Sequence, residues 1–156
     1  MPALTLRAAA AGTVRHRAAA VAAFVATPDH WPRFHPRSAA VTGAHTGRPL
    51  RTGDMVREEI VRDGGGRLVA DWLVTAHDPG RTFAVRSVGF GGRAVQLDVT
   101  YTFEENGDGS TLVRRAMATT VAPYEPLDDA ERAAYGSGEH QAAFLPGLRA
   151  ALDAAR

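Results

Sequence analysis

Val95-Gln96-Leu97-Asp98-Val99-Thr100-Tyr101-Thr102-Phe103-Glu104 is the segment on which the fold turns. Val95, Leu97, Val99, Tyr101 and Phe103 fall on every second position, with Gln96, Asp98, Thr100, Thr102 and Glu104 between them. Successive side chains of a strand point to opposite faces, so this segment is a strand with one buried and one wet face. One-sided burial is the habit of antiparallel sheets, because parallel sheets are covered on both sides.

Similar segments surround it. Strands are expected near 39–46, 54–63, 67–77, 81–88, 93–104 and 110–121. Gly47–Gly53, Gly64–Gly66, Asp78-Pro79-Gly80, Gly89–Gly92 and Asn106–Gly109 separate them as turns. No helical pattern intervenes, so the sheet is an antiparallel meander. Leu68, Ala70, Trp72, Val74 and Ala76 share one face of their strand, and Phe83, Val85 and Ser87 share one face of the next. Upstream, Leu4 to Arg15 reads as a further strand and Ala18 to Ala26 as a short helix. Thr27-Pro28-Asp29 ends that helix, and His30 to Pro36 forms a second helical turn. Downstream, Leu127-Asp128-Asp129 starts a helical stretch to Arg156, with a break near 136–138 and a kink near Pro146. His140, Phe144, Leu148 and Ala151 or Leu152 recur along it at helical spacing.

A sheet with one apolar face needs a lid. One helix cannot cover seven strands, so the sheet curls and leaves an apolar pocket, with Trp31 and Phe34 plugging its open side. The expected fold class is α+β, a seven-stranded curved antiparallel sheet wrapped around a long C-terminal helix, with two short helices after the first strand. The 156 residues are expected to form one ligand-binding domain, 1–156.

Composition narrows the chemistry. The net charge is +1, and the charges are scattered, so no nucleic-acid surface is expected. All eighteen basic residues are Arg, which excludes lysine Schiff bases. There is no Cys, which excludes disulfides, thiolate nucleophiles and Cys-based metal sites. Arg7, Arg15 and Arg17 interrupt the N-terminal Ala run, so no signal peptide or membrane span is expected, and the location is cytoplasmic. His30 and His35 lie five apart across Pro32, and no HExxH occurs, so no metal is expected. The Gly64–Gly66 and Gly89–Gly92 segments are hairpin turns rather than phosphate loops, so no cofactor is expected.

Three polar residues are candidate catalysts. His140, one turn before Phe144, is a candidate acid or base, because imidazole titrates at about 6.5. Arg114 and Arg115 are adjacent on one strand, and Arg115 shares the face of Val113 and Met117, where its guanidinium could bind a developing oxyanion. Of Glu58 and Glu59, a three-residue Gly64–Gly66 loop puts Glu58 opposite Trp72 and inward with Val56 and Ile60. The pocket wall is expected to comprise Trp31, Phe34, Trp72, Val74, Phe83, Leu97, Val99, Tyr101, Met117, Tyr124 and Phe144, with Phe90 beside them.

The order of elements resembles the helix-grip fold of the START-like, or SRPBCC, superfamily. Its carriers are Phe24 to Pro36, Gly53-Asp54, Trp72-Leu73-Val74 before Asp78-Pro79-Gly80-Arg81, Tyr101 to Glu104, and Gly107 to Thr111. They extend over nearly the whole chain. The resemblance to the polyketide cyclase/dehydrase branch implies a cyclase or dehydratase acting on a lipophilic, polyketide-like molecule. The alternative is a carrier or sensor of a lipid, quinone or polyketide. A monomer or homodimer is expected. In bacterial aromatase/cyclases, inward arginines on the middle strands polarise substrate carbonyls. Aligned through Trp72 and Arg81, those positions hold Ala76 and Ser87 here.

Overall fold

The computed structural model describes residues 2–62 and 64–155. The expected strand end at Asp63, and the terminal Met1 and Arg156, lie outside the described residues. Seven antiparallel strands form one sheet: β1 (Leu4–Val14), β2 (Ser38–Thr42), β3 (Met55–Val61), β4 (Arg67–Asp78), β5 (Thr82–Phe90), β6 (Val95–Glu105) and β7 (Thr111–Val121). Their spatial order is β1-β7-β6-β5-β4-β3-β2, so the first two strands are the two edges. The chain crosses between these edges through α1 (Ala18–Ala26), a 3-10 turn (Pro28–His30) and α2 (Trp31–Phe34). Burial of Val21, Phe24, Val25, Trp31 and Phe34 fixes this crossing in the core.

On β6, Val95, Leu97, Val99, Tyr101 and Phe103 are all buried, as the alternation requires. The inner face of β4 departs from its sequence pattern. Val74 pairs with Val85 but Ala76 pairs with Ala84, so Thr75 is an unpaired bulge. A bulge shifts the alternation by one position. Ala76 therefore lies exposed on the outer face, and His77 comes to the Phe83 side. Ser87 continues the inward alternation of Phe83 and Val85, and its hydroxyl accepts a 2.8 Å hydrogen bond from the Leu97 amide; a second bulge, at Val88, then brings Phe90 inward. Ser87 takes over a ladder bond there and is buried as structure.

The C-terminal stretch is three helices: α3 (Asp129–Gly136), α4 (Gly138–Ala142) and α5 (Leu145–Ala154). Asp128 caps α3 in a reciprocal capping box with Glu131. The break falls at Ser137, inside the expected 136–138, and the bend is at Phe144, just before Pro146. Leu145, Leu148, Ala151 and Leu152 bury the inner face of α5. This is the helix-grip arrangement.

Candidate functional site

Between the concave sheet, α2, α3 and α4 lies a pocket of about 540 Å³. Trp31, Trp72, Phe83, Leu97, Val99, Tyr101, Met117 and Phe144 line it, as does Phe90. Phe34 and Val74 do not. Both are buried in the core, Phe34 against Phe24 and Val74 on β4 opposite Val85 of β5. Tyr124 is 80% exposed, because the turn from Ala122 to Glu125 carries it outward. Tyr135 of α3 takes the wall position instead.

Polar groups converge on this apolar wall. Tyr101 and Arg115 are directly opposed across the β6–β7 ladder, so both face inward, and Arg114 is exposed on the other side. The Arg115 Nε donates to the Tyr101 hydroxyl at 3.0 Å. A guanidinium can only donate, so the phenol oxygen accepts and its own proton points elsewhere. The phenol proton is assigned to the 2.8 Å contact with His35 Nε2, which gives a neutral His35 with its proton on Nδ1. Arg115 Nη1 also donates to Gln141 Oε1, while Gln141 Nε2 approaches the Met117 sulfur at 3.9 Å. Among the described residues Nη2 of Arg115 has no acceptor, and no carboxylate pairs with this guanidinium. Burial, and then the Arg115 charge, hold the His35 imidazole well below its ordinary value of 6.5. Burial raises the Tyr101 phenol above its ordinary value, and the Arg115 charge and hydrogen bond oppose this.

His35 was not among the residues the sequence pattern singled out for chemistry. It caps α2 in an extended conformation, φ −88° and ψ 117°. The residue before a proline is biased toward this region. Here Pro36 follows, and the extended cap turns the ring toward Tyr101, Phe34 and Phe144. The Phe34-His35-Pro36 sequence is the available signal, but its direction depends on tertiary packing.

Glu58 is inward and buried, 7% exposed. Its register is not the expected one: Val56 opposes Trp72, and Glu58 opposes Ala70. The ladder closes at Val61 and Arg67, so five residues rather than three connect the two strands. A two-residue slip preserves the face, so Glu58 still reaches the pocket, where Trp72 Nε1 donates to its carboxylate at 3.1 Å. Burial raises the Glu58 pKa, and the Ser38 hydroxyl, the Trp72 indole and Arg115 pull it partly back. His140 lines the rim and is exposed to solvent.

Arg93 holds the mouth together. It donates to Glu125, to Glu131 at 2.7 Å and to the Pro126 carbonyl at 2.7 Å. The β5–β6 turn is thereby tied to the start of α3, whose Tyr135 roofs the cavity.

A curled antiparallel sheet gripping C-terminal helices around an apolar pocket defines a helix-grip ligand-binding protein. Residues 6–153 match the model of the family described as polyketide cyclase / dehydrase and lipid transport, and the chain belongs to that family. Solved structures share the fold at low identity. The di-domain ARO/CYC StfQ from the steffimycin biosynthetic pathway superposes with a TM-score of 0.75 at 11% identity, over 97% of this chain and 52% of that one. The chain thus spans about half the length of StfQ. A START superfamily protein from Mycobacterium smegmatis gives 0.74 at 14% identity, over 96% and 99% of the two chains. A norcoclaurine synthase point mutant from Thalictrum flavum, in complex with a transition-state analogue, gives 0.71 at 14%, over 99% and 98%. No curated protein matches the sequence.

Proposed function

We propose that the protein is a cyclase or dehydratase that enolises a lipophilic carbonyl compound bound in its pocket. The observation that carries this is the Arg115–Tyr101–His35 chain on an apolar wall. The guanidinium holds the substrate carbonyl oxygen through its open Nη2 and stabilises the charge that develops there. Tyr101 takes a proton from the adjacent carbon while its own proton passes to His35 Nε2. The C–H electron pair becomes the enolate, and His35 becomes the cation. The enolate carbon then attacks a second carbonyl carbon of the same folded chain, closing a ring. The new alkoxide recovers the proton through Tyr101. Loss of water follows when a further proton moves to His35 by the same route and returns to the departing hydroxide. Folding a flexible chain into a reactive shape supplies much of the acceleration, up to roughly 7–11 kcal/mol in favourable cases.

In this reading the base is His35, with His140 at the rim and Glu58 on the far wall as substrate-holding groups. The whole chain acts as one ligand-binding domain, without cofactor and in the cytoplasm. Among the described residues no helix is long and apolar enough to cross a membrane. A second reading, a carrier without turnover, draws support from the mainly apolar wall and from the lipid transport in the family's description.

Deuterium exchange separates the two. 2-Acetonaphthone is incubated with the protein in heavy water and its methyl protons are followed by NMR. Exchange well above the buffer rate is expected, falling about a hundredfold in Tyr101→Phe, His35→Gln and Arg115→Gln. Binding of the ketone without accelerated exchange would establish the carrier instead.

A further inference from the structure

The pocket has a second polar pole that the proton-transfer chain does not use. Glu58 on β3 and Arg115 on β7 are four strands apart in the sheet order. Along the sheet surface that is about 19 Å at ordinary strand spacing. The curl of the sheet nevertheless makes both line one cavity, and the wall between them is apolar: Phe83, Val85, Leu97 and Val99. One Glu58 oxygen accepts from Trp72, and the Ser38 hydroxyl lies against the carboxyl. Ser38 is 9% exposed, lines the pocket, and its Oγ has no other partner. A buried acid and a buried hydroxyl on an otherwise apolar wall are costly where they meet nothing.

We infer that the ligand is an elongated lipophilic molecule with an oxygen function at each end, a carbonyl or carboxylate at Arg115 and Tyr101 and a hydroxyl or phenol at Glu58 and Ser38. This rests on the ligand-binding half of the proposed function and names the substrate class. The Glu58 carboxyl accepts from Trp72, and an accepting carboxyl suits a ligand oxygen that carries a proton. Arg115 can only donate, which suits an oxygen without a proton. The two poles therefore fix the ligand's direction.

The probes are straight-chain acids from octanoic to tetradecanoic and their ω-hydroxy counterparts, titrated by calorimetry. Trp31 and Trp72 are the only tryptophans and both line the pocket, so intrinsic fluorescence gives a second readout. At one chain length the hydroxy acid is expected to bind about fivefold tighter than the plain acid. Glu58→Leu and Ser38→Ala should each bring the ratio of the two affinities to about one, whereas Arg115→Gln should weaken both acids together. Ser38→Ala serves alone if Glu58→Leu lowers the yield of folded protein. Equal affinities at every length, or an advantage that survives both variants, would overturn the inference. Plain acids that bind with no gain from the hydroxyl remove this inference and leave the proposed function standing. A hydroxyl gain without catalysed deuterium exchange does the reverse.

Discussion

At the scale of residues, the proposed chemistry rests on an imidazole that the helical pattern passed over. The sequence pointed to His140 because it lies four residues before Phe144. That spacing has meaning only within one helix, and here α4 ends at Ala142. His140 therefore stays at the rim, while His35 enters from the α2 cap. Arg115 and Glu58 were legible because alternation along a strand is rigid, and only the face had to be right. The lowered His35 pKa also sets a pH dependence. Unfolded, the imidazole titrates near 6.5; folded, it titrates lower. Between those values the unfolded chain binds a proton that the folded one does not. Stability should thus fall as pH drops through 6.5, with no contribution above it. His35→Gln is expected to flatten the urea midpoint against pH below about 6.5, relative to the parent protein. An unchanged slope would mean that the ring is not held neutral by the fold.

At the scale of elements, the strands were readable and their irregularities were not. The patterns of β6 and β7 fixed their inner faces, because each keeps strict alternation. The bulges at Thr75 and Val88 have no such signature, so Ala76 was placed inward and lies outward. Tyr124 was misplaced for a related reason: a turn obeys no period. The helices add a testable close contact. A Cβ at Gly147 of α5 would sit 2.8 Å from the Phe34 carbonyl oxygen and 2.9 Å from its Cα. In an exposed helix, replacing Gly by Ala gains up to about 1 kcal/mol. Here the obstacle is backbone, which cannot swing away, and overpacking costs about 1–3 kcal/mol. Gly147→Ala is therefore expected to lower stability by about 1–2 kcal/mol in urea unfolding. A stabilised variant would show that α5 and α2 are further apart than described.

At the scale of the whole molecule, the pocket follows from a mismatch: a seven-stranded sheet curls around more space than three short helices can fill. The sequence made this legible because one apolar face per strand and one apolar helical stripe imply a lid smaller than its sheet. Which polar groups meet inside depends on curl, bulges and caps, so the site was only half visible. The central claim is that the cavity holds a lipophilic substrate and transforms it. Native mass spectrometry of the protein purified from its producing organism, with extraction of whatever it retains, tests this most directly. The account predicts one cyclic or dehydrated compound in stoichiometric amount, carrying oxygen at both ends. A mixture of ordinary fatty acids, quinones or membrane lipids would contradict it and leave a carrier.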